Sequence, residues 1–125
     1  MTAGHLTRGL AVVAGGAAGT AIRLAVAEAV PPGWLPWATL SVNLAGAGLL
    51  GLMLATLLRH ARGPWALLIG VGLLGGLTTF STFVGEVDGL IAAGRSGAAV
   101  AYLLVSVVGG LAAARAGMVA GGAHR

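Results

Sequence analysis

At 125 residues, 58% hydrophobic and only 8% charged, the chain cannot cover the surface of a soluble domain, which carries about 25% charged residues. The net charge of +4 comes from arginines that fall mostly at the ends of apolar runs, where they anchor to lipid headgroups, and this argues against a nucleic-acid partner. The absence of cysteine removes disulfides, thiol nucleophiles and thiol redox chemistry.

Taken in chain order, the apolar runs predict four transmembrane helices at about 7–30, 35–58, 64–92 and 96–121, joined by connectors too short for a soluble domain, so that residues 1–125 form one membrane domain. The first run holds Arg23 and Glu28. Arg8 and the Ala27-Glu28-Ala29 triplet sketch a signal peptide, but Arg23 interrupts its apolar region and a span is the better reading. Arg23 either snorkels to the interface or places a fixed positive charge near an anion route. "GGAAGT" (15–20) has the outline of a phosphate loop but lacks the following Lys and the preceding strand.

The second span carries Thr39, Ser41 and Asn43, of which Thr39 and Asn43 share a helix face. An intramembrane Asn either joins helices or offers its NH₂ to an anion. The third span contains "GGLTTFSTFVGEV" (75–87), where Gly75-Gly76 weaken the helix and the β-branched pair Thr78-Thr79 does not restore it. A break is expected here, and irregular backbone at membrane depth must be buried or line a cavity. Its free carbonyls could bind a small hard cation. Phe80 and Phe83, three apart with Ser81 and Thr82 between them, are either core or an anion-facing pair of ring edges flanked by hydroxyl donors. The fourth span repeats the four-residue polar spacing in Tyr102 and Ser106.

Glycines at small-xxx-small spacing, Gly15/Gly19, Gly72/Gly76, Gly85/Gly89 and Gly117/Gly121, predict close helix packing, although a glycine-rich chain also makes such matches by chance. Four thin helices enclose little volume, so a pathway calls for a second copy or a partner chain. Histidines near termini and in a loop, and three unclustered carboxylates, give no foothold for an enzyme. A four-span drug exporter would want a carboxylate near the middle of span one, whereas Glu28 lies near its end; a non-transporting assembly subunit would explain the glycines but not residues 75–83. Arg8, Arg59, Arg62 and Arg125 on one side, with Arg115 near it, against Arg95 on the other, put both termini in the cytoplasm by the positive-inside rule.

"GGAAGTAIRLAV" (15–26), "ATLSVNLAGAGLLGLM" (38–53) and "GLLGGLTTFSTFVGEV" (72–87) resemble, in order, the signature segments of the Fluc/CrcB fluoride channel family. The third is the most specific. The resemblance implies an all-α, multi-pass protein of the cell membrane, assembled as an antiparallel dual-topology dimer with two pores. It implies passive, selective fluoride export that lowers cytoplasmic fluoride, with a structural, untransported Na⁺ at the dimer centre held by the backbone carbonyls of Gly75 and Thr78. Phe80 and Phe83 would line the pores, Asn43 would be a pore donor, and Tyr102 with Ser106 would belong to a polar track; Thr39, Ser81, Thr82 and Arg23 complete the candidate fluoride pathway. Glu86 matches an acidic position of the family and is left without a role. The arginine bias departs from the balance expected of a dual-topology chain, so the antiparallel partner is either a second copy or an oppositely oriented homologue.

Overall fold

A computed structural model describes residues 3–56 and 64–122, and these are helical throughout apart from short connections. Four helical stretches, 4–29, 37–55, 64–92 and 96–120, are long and apolar enough to cross a membrane. Arg59, Arg62 and Arg125, which carry most of the orientation bias, and the last two residues of the expected second span lie outside the described residues.

Helix α1 (Ala3–Ala29) ends one residue short of a proline pair: Val30 N–H reaches Val26 at 2.9 Å, and Pro31 and Pro32 have no N–H to continue. Helix α2 (Trp37–Ala55) starts after Pro36, whose carbonyl accepts from Leu40 at 3.0 Å. The third span is segmented. A first turn, α3 (Pro64–Ala66), widens into a π-helical stretch over Leu67–Leu73, closed by Leu74 N–H on the Ile69 carbonyl, and narrows again into α4 (Leu74–Leu77). Thr78 and Thr79 are extended (φ −80°, ψ 153° and φ −146°, ψ 125°), and α5 (Phe80–Ala92) restarts the helix. Gly94 then takes φ 72°, which lets Arg95 N–H bond Leu90 at 2.8 Å and closes α5 before α6 (Ser96–Ala120).

The break is therefore where the sequence puts it, but its hinge is the threonine pair. Gly75 and Gly76 remain helical. Gly76 serves contact: a Cβ there would lie 2.3 Å from the Gly16 carbonyl oxygen, and one at Gly19 would lie 2.1 Å from that of Leu73. The Gly15/Gly19 and Gly72/Gly76 pairs thus face each other between α1 and the third span. Gly117 and Gly121 do the same service for α6 on α2, a Cβ at Gly117 falling 2.0 Å from the Gly48 carbonyl oxygen. Gly85 and Gly89 meet nothing within 4 Å, so their spacing is not used within the chain.

Contacts advance in the same chain direction in both pairs, so α1 runs parallel to the third span and α2 to α6, as a four-span serpentine requires. Two apolar clusters join the pairs: Leu35, Leu40, Phe83, Leu90, Ala98, Ala99 and Tyr102 around the connectors, and Val42, Met53, Leu74 and Leu77 beside the break.

Candidate permeation site

Breaking a helix strands its peptide groups, and an account of where they go defines the site. Thr79 is clamped by Asn43 from α2: the Asn43 amide donates to the Thr79 carbonyl at 3.0 Å, and the Thr79 N–H donates to Asn43 Oδ1 at 2.9 Å. Thr79 Oγ1 also caps α5, accepting from the Thr82 N–H at 3.2 Å and donating to Thr82 Oγ1 at 3.0 Å. Ser81 Oγ lies 3.5 Å from the same hydroxyl. On the other limb, Thr78 Oγ1 turns back to the Leu74 carbonyl at 2.9 Å, and the Gly76 carbonyl accepts from Arg23 Nε at 3.3 Å. Arg23 is half-buried against the break, with its Nε directed at a peptide.

The carbonyls of Gly75 and Thr78 receive no hydrogen bond from the described residues. Gly75 faces open space, with nothing within 4 Å of an added Cβ.

Beyond the break, the two phenylalanines diverge in environment. Phe83 is buried, whereas Phe80 is 78% exposed, with 6.1 Å between ring centroids and 40° between planes. Phe83 also meets the fully buried Tyr102 at 5.0 Å. Tyr102 is fixed by Glu86, whose Oε2 accepts from the Tyr102 hydroxyl at 2.7 Å while Oε1 accepts from Thr39 Oγ1 at 2.7 Å. One carboxyl group thereby ties α2, α5 and α6 together. Sequence reading left Glu86 without a role; the signal was its position inside a span, where a carboxyl group must find donors.

Two hollows result. One, of about 580 Å³, is lined among others by Asn43, Gly75, Thr78, Phe80, Phe83 and Ser106. Ser106 Oγ is buried there and has no hydrogen-bond partner among the described residues, an uncommon state for a buried hydroxyl. The other, of about 470 Å³, brings together Arg23, Thr39, Thr79, Thr82, Glu86 and Arg95 beneath the 31–36 connector. Arg95 holds that connector by donating to the Trp34 carbonyl. The structure thus gathers nearly all of the sequence-selected residues into two adjoining hollows. Ser81, exposed at the start of α5, and the buried Tyr102 line neither, and Thr39 pairs with Glu86 although it shares a face with Asn43. Ser41 turns to its own helix, donating to the Ala38 carbonyl at 2.8 Å. Among the described residues, no group of three or more metal-ligating side chains occurs, so a cation here would rest on backbone oxygen.

Residues 10–118 match the family model described as "CrcB-like protein, Camphor Resistance (CrcB)". The chain is 44% identical over 118 residues to a protein of Bordetella petrii, covering 93% of this chain and 92% of that one. It is 44% identical to relatives from Sphingopyxis alaskensis, covering 86% of this chain and 90% of the relative, and from Deinococcus radiodurans, covering 86% and 89%. All three carry the name fluoride-specific ion channel FluC.

Proposed function

The chain belongs to the CrcB-like family, and we propose that it passes fluoride passively out of the cell, so lowering cytoplasmic fluoride and its toxicity. It is a multi-pass membrane channel and not an enzyme. The observation that carries the fluoride reading is the buried, unpartnered Ser106 hydroxyl in a hollow that also holds the Asn43 amide and the Phe80–Phe83 pair.

Fluoride is small, strongly hydrated and a strong hydrogen-bond acceptor. A narrow path must therefore replace its water with donors and positive ring edges rather than with charge alone. Ser106 supplies a free O–H. Asn43 uses one amide hydrogen on Thr79 and keeps the other. Thr82 and the Arg23 guanidinium face the second hollow, where a fixed positive charge draws anions. Ser81 stands exposed beside Thr82, and Thr39 with Tyr102 anchors the wall through Glu86. Because hydrogen fluoride crosses lipid and dissociates inside, the membrane potential suffices to expel the anion, and no catalytic group is required.

The bare Gly75 and Thr78 carbonyls suit a small hard cation such as Na⁺, which supplies fixed positive charge and cross-links backbone without being transported. Two carbonyls from one chain are too few for such an ion. Gly75 and Phe80 face outward uncovered, as do Val71, Val107 and Leu50 beside them, and this supports a second chain in antiparallel orientation, either a copy or an oppositely oriented homologue.

The test is fluoride efflux from liposomes holding the purified protein. Flux that needs sodium, excludes chloride and is lost in Phe80→Ile is expected. No fluoride flux with sodium present, or chloride passing equally well, defeats the reading.

A further inference from the structure

We propose that Asn43 and Arg23 are positioning residues for the broken backbone of the third span: two splints, from α2 and α1, that hold the peptides on either side of the Gly75 and Thr78 carbonyls and so preset the cation-binding oxygens. This rests on the sodium reading for its consequence, though not for its geometry.

The pattern of satisfied and bare groups carries the inference. Four helical hydrogen bonds are lost where Thr78 and Thr79 are extended, and water is not available to replace them at membrane depth. Of the four carbonyls left without helical donors, those of Gly75, Gly76, Leu77 and Thr78, one is repaired from outside the span by the described residues, and the N-cap residue beside them, Thr79, is gripped as well. Gly76 receives Arg23 Nε, and Thr79 receives the Asn43 amide while returning its own N–H to the same side chain. The Asn43–Thr79 contact is a two-point bond that mimics a β-ladder pair: through the Thr79 N–H it holds the 78–79 peptide, whose plane carries the Thr78 carbonyl, and through the Thr79 carbonyl it holds the 79–80 peptide. Gly75 and Gly76 are adjacent peptides, as are Thr78 and Thr79; in each pair one carbonyl is splinted from a neighbouring helix and the other is left bare. Rotation of the Thr78 carbonyl away from its present direction would turn the Thr79 N–H, in the same peptide plane, off Asn43.

Both splints come from helices held at close range. Arg23 is one helical turn beyond Gly19, whose absent Cβ lets α1 approach the third span, and Asn43 lies between Val42, buried against the break, and Gly46, where a Cβ would meet the Thr78 methyl at 2.3 Å. The approach that a larger residue would prevent is the approach the splints require. Asn43 also remains in the anion hollow through its second N–H, so one side chain couples the cation-binding backbone to the anion path.

The experiment uses the full chain in liposomes and in detergent, with amide hydrogen exchange on the 75–83 segment and the sodium concentration that gives half-maximal fluoride flux. Asn43→Leu, close in size and without polar atoms, is expected to speed exchange of the Thr79 amide about tenfold or more and to raise the sodium requirement by about tenfold. Should it fail to fold, Asn43→Asp is read instead: it retains an acceptor for the Thr79 N–H, so exchange stays within about threefold of wild type, while loss of the donor still raises the sodium requirement. Arg23→Gln is expected to raise the sodium requirement with less effect on the fluoride concentration for half-maximal flux; a residue acting only as a positive charge on the anion would do the reverse. Unchanged exchange in Asn43→Leu overturns the splint, as does a sodium requirement that neither Asn43 variant alters. Fast exchange in Asn43→Leu with wild-type flux indifferent to sodium would instead reject the sodium reading and leave the splint standing.

Discussion

Replacing Tyr102 by Phe removes one oxygen from the centre of the molecule and nothing else. Tyr102 is fully buried, and Phe at this position keeps the ring contact with Phe83 at 5.0 Å. What is lost is the 2.7 Å bond to Glu86 Oε2, while Oε1 keeps its 2.7 Å bond from Thr39. A part-buried carboxyl oxygen is left without its donor, for which about 1–3 kcal/mol is the appropriate scale; 2 kcal/mol is about a 30-fold fall in the folding equilibrium. Thr39→Val, isosteric at its own site, should lose a comparable amount. Because both hydroxyls meet on one carboxyl group, the double variant should lose less or more than the sum by about 0.5 kcal/mol or greater. Denaturation in mixed micelles, followed by the fluorescence of Trp34, Trp37 and Trp65, measures all three. A Tyr102→Phe variant within about 0.3 kcal/mol of wild type, or strictly additive losses, would show that Glu86 does not tie the three helices together in this way.

Gly19→Ala places a methyl 2.1 Å from the Leu73 carbonyl oxygen, about 1.4 Å inside ordinary contact, so α1 must move away and take Arg23 with it. A loss of about 1–3 kcal/mol in the same denaturation assay is expected, with fluoride flux reduced more than in Gly85→Ala, where nothing lies within 4 Å. Ser106→Ala should leave stability within about 0.5 kcal/mol of wild type, since the hydroxyl bonds nothing among the described residues, while fluoride flux falls; wild-type flux would remove Ser106 from the path. Epitope tags on both termini of the chain expressed alone should be accessible from both sides of the membrane if it pairs with a second copy, whereas one-sided labelling would require an oppositely oriented homologue.

Much of this architecture is legible in the residues because lipid leaves few options. Uncharged runs of 20 or so residues must be helices, and a glycine and threonine cluster inside one of them must disturb it. The position of the disturbance was harder to read. Glycine has the weaker intrinsic helix propensity, yet Gly75 and Gly76 stay helical and the β-branched pair after them opens, because Gly76 is held against Gly16 while the Thr79 N–H and carbonyl both find Asn43. Tertiary partners, invisible in a linear pattern, decided between two adjacent weak points. The π-helical turns at Leu67–Leu73 gave no sequence signal for the same reason: Gly72, packed on Gly15 of α1, is adapted to a contact and not to a periodicity.

The polar residues show how the remaining part of the site escapes one-dimensional reading. Thr39 and Asn43 share a helix face and so look like one functional unit, but Thr39 meets the carboxyl group of Glu86 and Asn43 meets the peptide of Thr79, seven residues apart on the third span. α2 therefore grips that span at two points, one on its broken backbone and one on its restarted helix. Asn43 and Thr39, one turn apart on α2, thus hold the Phe80–Phe83 segment between them from its two ends. Asn43, Thr78 and Thr79 in the first hollow are all engaged with the broken span, and Ser106 is the polar side chain there that bonds none of the described residues.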